Sequence, residues 1–460
     1  MTEQKLLKTI GNIADRQNIQ VWAVGGFVRD KLLNKIVKDI DFVVIGDGPR
    51  FARDIAREFK TRNIVVYPKF GTAMVNFQDY RLEFVTARSE SYLENSRKPI
   101  VTKSDLDSDL LRRDFTINCI TYGLNKKNFG RIYDPLGGQQ DIEAEIIRTP
   151  LDPVVTFKDD PLRIMRAIRF ATQLSFKIET NTFQSLKEMR HRLEIISQER
   201  ITEELKKIIM ANLPSIGFYL LDEAGILEII FPELTAMKGV EQRDGYHHKD
   251  AFHHTLMVVD NVAQVSDKFD IRFAALVHDI AKPVTKRFVM GTGWTFHGHD
   301  EIGARMLSNI CQRLKLPNST LKYSQKLTRL HLRPIHLSEE GVTDSAMRRL
   351  LFQAGDDLEE LLILCRADIT SGNPQRVKQH LANFDHVVER LQEVEEKDKM
   401  RAFQSPVRGD EIMAACGIPP GPKVGQLKKM IEEAILDDLI PNEHDAAYQY
   451  LLKIKDEVLD

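Results

Sequence analysis

The stretch VWAVGGFVRDKLLNKIVKDIDFVVIG, Val21 to Gly46, decides how the first part of this chain is read. VWAV reads as a short strand, Gly25-Gly26 as a turn and GFVRDKLLN as a helix. KDIDFVVIG reads as a second strand, made apolar by Ile40, Phe42, Val43 and Val44. Side chains alternate along a strand, so Asp39 and Asp41 share one face. Two carboxylates on one face repel each other unless a cation sits between them. An isolated D-x-D is commonly only a solvated strand end, but the neighbours change that reading. Glycines between a strand and a helix let the backbone approach a ligand, and a helix N-terminus aims N–H groups at anions. Arg29 is expected on the first turn of that helix, within reach of a phosphate. Glu83, on the later strand YRLEFVTA, is a candidate third carboxylate. Asp39, Asp41 and Glu83 are therefore candidate catalytic residues, and Asp39 and Asp41 candidate Mg2+ ligands, because oxygen ligands suit that ion. Gly25, Gly26 and Arg29 are candidates for holding a triphosphate.

Working outward, NIVVYP and TAMVNF add strands, and PRFARDIAREFK adds a helix. After Pro150 the texture changes. Leu, Ile and Met recur at helical spacing in PLRIMRAIRFATQL and ITEELKKIIM, and almost no strand signal follows. The expected fold class is α+β, a small mixed sheet with helices followed by a long all-α body. Four segments are expected: a head at 1–148, a helical neck at 149–235, a His-rich region at 236–385 and a helical tail at 386–460.

The 460 residues suffice for about two to four domains. An apolar fraction of 42% and a charged fraction of 29% fit an ordinary globular chain. Lys+Arg of 65 against Asp+Glu of 67 excludes a uniformly basic coat but leaves room for a local basic stripe. Cys119, Cys311, Cys365 and Cys416 are scattered, with no C-x-x-C pair, so neither a zinc ribbon nor a disulfide framework is signalled. No apolar run approaches the ~18–20 residues that span a bilayer. The N-terminus has no signal-peptide core, so the expected location is cytoplasmic. The oligomeric state is not readable from these features.

Further motifs follow in order. LLRRDFTINCI spans 110–120, DPLGGQQDI 134–142, DDPLRIMRAIRF 159–170 and ERITEELKKII 199–209. With the glycine turn and paired acids, this series resembles the nucleotidyltransferase superfamily that includes DNA polymerase β. More specifically it resembles the class II tRNA nucleotidyltransferases and bacterial poly(A) polymerases. The resemblance implies a polymerase-β-like head, transfer of nucleotides from CTP and ATP to the 3′ end of tRNA, and Mg2+ at Asp39 and Asp41. It implies ribose and phosphate contacts for Arg112, Arg113, Asp114 and Asn118. Asp114 and Asp134 have a plainer reading as turn or capping residues.

In DDPLRIMRAIRF, Asp160-Pro161 is expected to start a helix, aspartate at the cap and proline in the first turn. Arg163, Arg166 and Arg169 recur every three residues, and Leu162, Met165 and Ile168 form a second stripe for the core. A carboxylate accepts and a guanidinium donates, so Asp160 and Arg163 together can address a base edge. Cytosine and adenine each present an amino donor and a ring-nitrogen acceptor there, whereas uracil and guanine present a carbonyl. The resemblance implies this base-reading role for Asp160 and Arg163, with Arg166 and Arg169 toward the phosphates or the framework of the site. The family usually has glutamate before that aspartate, and this chain has Asp159. The polar stretch ARSESYLENSRKPIVTKSDLDSDL resembles the loop that helps such a site switch from C to A, with Arg97-Lys98-Pro99 at its basic end.

A second constellation is rich in histidine: FHHTLMVVDNV (252–262), RFAALVHDIAKPVTK (272–286), FHGHDEIGARM (296–306) and LCRADITS (364–371). An adjacent His-Asp pair inside an expected helix, flanked by other His-bearing helices, points to a divalent transition metal. The pattern resembles an HD phosphohydrolase domain. That resemblance implies a site of His254, His278, Asp279 and Asp368 for Mn2+, Ni2+ or Fe, with His297, His299 and His331 as further ligands or phosphate contacts. In the tail, Lys423, Lys428 and Lys429 are candidates for tRNA phosphates. The leading expectation is a nucleotidyltransferase that builds or repairs the 3′-terminal CCA. The alternatives are a poly(A) polymerase, a phosphohydrolase whose head only binds RNA, and a non-enzymatic RNA-binding protein.

Overall fold

Val21, Ala23 and Val24 on strand β1 (Gln20–Val24) and Ile40, Phe42, Val43 and Val44 on β2 (Asp39–Ile45) are withdrawn from water. The two strands pair antiparallel, Ala23 opposite Phe42 and Val24 opposite Asp41. They belong to a computed structural model that describes residues 1–91, 100–241, 250–337, 343–370, 373–398 and 405–459. Next come β3 (Ile64–Tyr67), β4 (Thr72–Phe77) and β5 (Tyr80–Thr86). A separate antiparallel pair, β6 (Arg88–Ser91) and β7 (Ile100–Lys103), flanks the loop expected to carry Arg97-Lys98-Pro99. Those three residues lie outside the described ones. With β8 (Thr121–Gly123) and β9 (Ile132–Tyr133), the head forms a seven-stranded sheet in the order β3-β4-β5-β2-β1-β8-β9.

The pairing of β2 with β5 is parallel and its other pairings are antiparallel, so the sheet is mixed. The acid-bearing strand β2 lies inside this sheet. Its opposite face is aromatic: Phe42 stacks on Phe84 with centroids 4.7 Å apart, and Phe51 meets Phe84 edge-on at 5.6 Å. Phe51 comes from the helix Gly48–Glu58, which packs on β4 and β5. Asp47 caps that helix through the Arg50 N–H, with Pro49 in the first turn.

Beyond Pro150 the chain is helical, with a correction. Lys177–Ile178 pairs in parallel with Ile146–Ile147, and Arg287–Val289 forms a hairpin with Gly293–Thr295. Strands of two or three residues are too short to show a period in sequence. The helix Leu162–Leu174 buries Ile164, Met165 and Ile168 and packs against Gln198–Ile209 and Pro214–Glu223. Between the first two of these helices Arg169 meets Glu204 at 2.7 Å, both largely out of water.

The described chain divides into two compact units, Met1–Pro232 and Glu233–Asp460. In the second, the helices Ala251–Ala263, Phe269–Val277, Asn318–Leu330 and Leu358–Asp368 pack on one another, and His299–Arg313 packs on Asn318–Leu330. The helix Pro374–Asp398 runs across the expected tail boundary at 385/386, and shorter helices follow to Leu459. No helix among the described residues is long and apolar enough to cross a membrane.

The Arg169–Glu204 pair generates a stability prediction. Glu204→Ala leaves a guanidinium buried without its counter-charge, so urea denaturation is expected to show a loss of about 3–5 kcal/mol. Combining it with Arg169→Met removes the stranded charge and is expected to recover much of that loss. A double variant as unstable as Glu204→Ala alone would contradict this account.

Candidate active site and candidate metal centre

The acid face of the head is set by strand register. Asp41 on β2 stands opposite Glu83 on β5, and Asp39 opposite Arg81, so all four residues share a face. Asp39 is exposed, while Asp41 and Glu83 are half-buried. Gly25 has φ +74°, a conformation that a side chain disfavours. A Cβ at Gly25 would stand 3.4 Å from an Arg113 guanidinium nitrogen and 3.5 Å from Asp41 Oδ2. Turn, guanidinium and acid thus meet at one point. Desolvation pushes the Asp41 carboxyl above its usual range. Arg113 pulls it back, and Asp39 adds to the upward push.

The carboxylates of this face offer oxygen donors. Mg2+ requires only one or two protein carboxylates when substrate phosphates supply other ligands, so Asp39 and Asp41 fit it. Glu83 shares the face, yet it does not close a triad with them. Among the described residues, the groups of three whose ligand atoms converge lie in the body instead.

The arginines of the head and neck are held by buried acids. Asp109 has no exposed surface. It accepts from Arg112 Nε at 3.0 Å and from an Arg113 terminal nitrogen at 3.1 Å. Asp114 accepts from Asn118 at 3.0 Å and from Arg166 Nε at 2.8 Å. Burial alone would raise the Asp114 carboxyl, but Arg166, Asn118 and Arg163 together hold it far below the usual range.

Arg29 differs from expectation. It is buried in the helix Gly26–Leu32, with its guanidinium on Asp30 and, at 2.8 Å, on Asn118 Oδ1. Its guanidinium is engaged by those groups rather than standing open on a first turn. Asp134 accepts from the Gly138 and Gln139 N–H groups, each at 2.8 Å, and caps the next helix.

In the neck the helix begins at Leu162, with Pro161 in the cap position. Asp160 accepts from the Leu162 N–H at 3.2 Å through one oxygen, and Arg200 lies 3.3 Å from the other. Asp159 closes the preceding helix, Pro153–Asp159. Arg163 is buried and donates to the backbone carbonyls of Arg112 and Thr156. Burial, reinforced by Arg166, pushes the Arg169 guanidinium down to about 10. The Phe170 ring lies 5.0 Å from the Arg29 guanidinium, 5.4 Å from that of Arg166 and 3.9 Å from that of Arg169.

Asp109, Glu204 and Phe170 are the residues that sequence reasoning missed. Asp109 was detectable, because it stands three and four residues before Arg112 and Arg113, the spacing of helical ion pairs.

In the body, six side chains gather. His254, His278 and Asp368 converge as one triad, and Asp279, His299 and His331 as another. Asp279 faces both. Its Oδ2 lies 3.2 Å from His278 Nε2 and 3.6 Å from His254 Nε2, and its Oδ1 lies 3.3 Å from His299 Nε2 and 3.7 Å from His331 Nε2.

Three of the histidines are oriented in the same way. His278 Nδ1 bonds the Ala275 carbonyl at 2.8 Å, His299 Nδ1 that of Phe296 at 2.8 Å, and His331 Nδ1 that of Thr328 at 2.7 Å. A carbonyl only accepts, so each Nδ1 donates and each Nε2 is aimed at the cluster. His278 and Asp279 were expected within a helix. They stand just past the end of Phe269–Val277, where the imidazole reaches the carbonyl three residues back.

The buried Nε2 of His278 and Oδ2 of Asp279 face each other at 3.2 Å, and Lys282 Nζ lies 2.5 Å from the same oxygen. Inward imidazole nitrogens, two carboxylates and these two buried atoms fit a divalent transition metal. Burial opposes the charge on His278, but Asp279 and Asp368 raise it to about 10. Burial and His278 push His331 down to about 4. His297 is exposed beside this cluster in sequence. In the tail, Lys428 and Lys429 each lie 3.9 Å from a glutamate four residues on, and Lys423 is exposed.

Comparison with known proteins adds to this geometry. Residues 21–148 match the family described as "Poly A polymerase head domain". Residues 175–238 match "Probable RNA and SrmB- binding site of polymerase A", and residues 251–373 match "HD domain". A protein of Acidovorax ebreus named "Multifunctional CCA protein" is 32% identical over 76% of this chain and 82% of its own length. A protein of Deinococcus radiodurans named "A-adding tRNA nucleotidyltransferase" is 32% identical over 72% of this chain and 75% of its own. Among solved structures, "The structure of CCA-adding enzyme apo form II" superposes with a TM-score of 0.64 at 23% identity, covering 98% of this chain and 95% of that one. That likeness concerns the fold.

The charge on His278 generates a metal-binding prediction. A raised histidine keeps its proton below about 10, so a cation binding near pH 7 must displace it. Affinity for Mn2+ is expected to rise with pH, by up to about tenfold per unit for one displaced proton. Calorimetry in buffers of different ionisation enthalpy reads the released proton directly. Affinity that stays flat with pH would contradict the assignment of His278 as a ligand.

Proposed function

Because the chain belongs to the family of CCA-adding tRNA nucleotidyltransferases and poly(A) polymerases with an HD domain, we propose that it adds or repairs the complete 3′-terminal CCA of tRNA. It is a divalent-metal-dependent nucleotidyltransferase, and the substrates in this reading are CTP, ATP and tRNA. The observation that carries the reading is the meeting of Gly25, Asp41 and Arg113 on the acid face of β2. In the reaction the tRNA 3′-hydroxyl oxygen bonds to the α-phosphorus of the nucleotide. The bond from that phosphorus to pyrophosphate breaks, and the hydroxyl proton passes to water.

Asp39 and Asp41 would hold two Mg2+ ions, with Glu83 beside Asp41 on the same face. When bound, Mg2+ lowers the pKa of the hydroxyl and neutralises charge on the leaving pyrophosphate. Arg112, Arg113 and Arg166 supply donors to the triphosphate, held in place by Asp109 and Asp114. Asn118, fixed by Arg29 and Asp114, addresses the ribose. Asp160 and Arg163 read the base edge, with Arg163 exchanging its carbonyl partners for the base. Arg169 frames the site through Glu204 and Phe170. The four segments bounded at 148, 235 and 385 keep their proposed roles as head, neck, HD region and tail. Lys423, Lys428 and Lys429 are proposed to contact tRNA phosphates, and the proposed location is the cytoplasm.

A second reading concerns the body. The oriented histidines and the two-sided Asp279 favour hydrolysis of a phosphomonoester or a cyclic phosphate, with Mn2+, Ni2+ or Fe at His254, His278, Asp279 and Asp368. His299 and His331 complete the other side of Asp279. In this reaction a water oxygen bonds to phosphorus, one ester P–O bond breaks, and the alcohol leaves with a proton.

One assay separates the alternatives. tRNAs ending before CCA, after CC and in full CCA are incubated with each labelled nucleotide and with CTP–ATP mixtures. Addition of C, C and then a single A is the expected result. Long A tails would identify a poly(A) polymerase, and addition to the CC end alone would identify an A-adding enzyme. Asp39→Ala or Asp41→Ala is expected to lower addition by roughly a thousandfold or more, while metal-dependent hydrolysis in the body persists. Addition that survives both variants sinks the assignment of the acid face.

Asp160→Ala tests the base-reading role. It is expected to raise incorporation of UTP and GTP relative to CTP and ATP by about tenfold, equivalent to about 1.4 kcal/mol. If UTP and GTP stay excluded in that variant, the side-chain template is wrong.

A further inference from the structure

Between Asp279 and Asp300 the chain carries Lys282, Lys286 and Arg287 and no acidic residue. This segment leaves the metal cluster at Asp279, passes through the short helix Lys282–Thr285 and forms the hairpin of Arg287–Val289 and Gly293–Thr295. It then returns to the cluster at His299. Both ends of the excursion are therefore anchored at the candidate centre.

The hairpin shows apolar side chains where the solvent reaches it. Phe288 is 59% exposed and Met290 at its tip 88%. Phe288 stands opposite Trp294 in the pairing, and their rings meet edge to face with centroids 5.2 Å apart. A two-stranded hairpin gains little stability from rings held in water, so core packing does not account for them. Cations lie against the rings. Lys286 Nζ is 4.2 Å from the Trp294 centroid. Lys282 Nζ is 5.7 Å from the Phe296 centroid and 2.5 Å from Asp279 Oδ2. Ring and ammonium thus alternate from the hairpin down to the carboxylate that faces both triads. An aromatic face for the base and a cation for the phosphate are what an unpaired nucleotide requires.

We propose that this hairpin is a nucleobase platform for the HD centre. A single-stranded RNA end stacks a base on the Phe288 and Trp294 side of the hairpin, Lys286 meets its backbone, and its terminal phosphate ester reaches the cluster past Lys282. The inference rests on the hydrolase reading of that centre and adds the residues that would hold the base beside the reacting phosphate. A base competes well for the Trp294 ring, because stacking is stronger than an exposed cation–π contact.

The test uses the full chain with Trp22→Phe, which leaves Trp294 as the sole one of the 2 tryptophans. A short oligoadenylate ending in a 3′-phosphate is titrated against its fluorescence. Saturable quenching that weakens with salt is expected. In parallel, phosphate release with Mn2+ is measured from that oligonucleotide and from glycerol 2-phosphate, which has no base. In Phe288→Ala and Trp294→Leu, kcat/KM for the oligonucleotide is expected to fall about tenfold further than for glycerol 2-phosphate, mainly through KM. Equal losses on the two substrates would show structural support only and overturn the platform, as would the absence of quenching. Self-association that Phe288→Ala abolishes, with no quenching, would make the hairpin a contact between copies and also overturn it. Quenching by an oligonucleotide that is not hydrolysed, with glycerol 2-phosphate also inert, would support the platform while defeating the hydrolase reading.

Discussion

A carboxylate entirely withdrawn from water, Asp109, is the constraint on which the head depends. Left bare it would cost several kcal/mol, so the fold must bring cations to it. Arg112 and Arg113 do so, and Arg113 is thereby held where it also faces Asp41 and the Gly25 turn. The same rule repeats at Asp114 with Arg166 and at Glu204 with Arg169. Arg163 closes the network on the backbone carbonyl of Arg112. The segment from Asp109 to Asn118 and the helix Leu162–Leu174 are thus locked by polar contacts that cannot be left half-made.

This arrangement bears on how arginines can serve a triphosphate. A guanidinium has five N–H donors in a planar fork. One fixed by a carboxylate through two donors can still give others to a phosphate, and its side-chain entropy has already been surrendered to the fold. Buried ion pairs contribute little net stability, since desolvation offsets the attraction. Their value here is placement. The acid face of β2 shows the opposite balance: desolvation and the Asp39 charge keep the Asp41 carboxyl high, so that face would gain from a cation brought to it.

The sequence was legible where a feature is local. Alternation along KDIDFVVIG placed Asp39 and Asp41 on one face, and the three-residue recurrence of arginine from Arg163 to Arg169 follows one helix. The partners of those arginines were less legible, because Glu204 reaches Arg169 only through the packing of two helices. The burial of Arg29 was hidden for the same reason: its distance from Asn118 is set by the fold, not by its place after a glycine turn. The His-Asp pair was recognised, but its position past a helix end was hidden. An apolar run such as RFAALV looks alike whether or not it continues. The hairpin at 287–295 escaped notice because its strands are too short to show a period.

The donor sets explain how two candidate centres can coexist in one chain. The face of β2 offers carboxylate oxygens on a half-exposed sheet, a hard environment open to a nucleotide's own phosphates. The body cluster offers imidazole nitrogens pinned by backbone carbonyls, which favours a softer ion held mainly by protein. The residues assigned to the first centre all come from Met1–Pro232, and those of the second all from Glu233–Asp460. No side chain is shared. Each centre can therefore be disabled by substitutions that leave every assigned ligand of the other in place, and a change at both after one such substitution would have to travel through the bound RNA or the fold, not through a common metal.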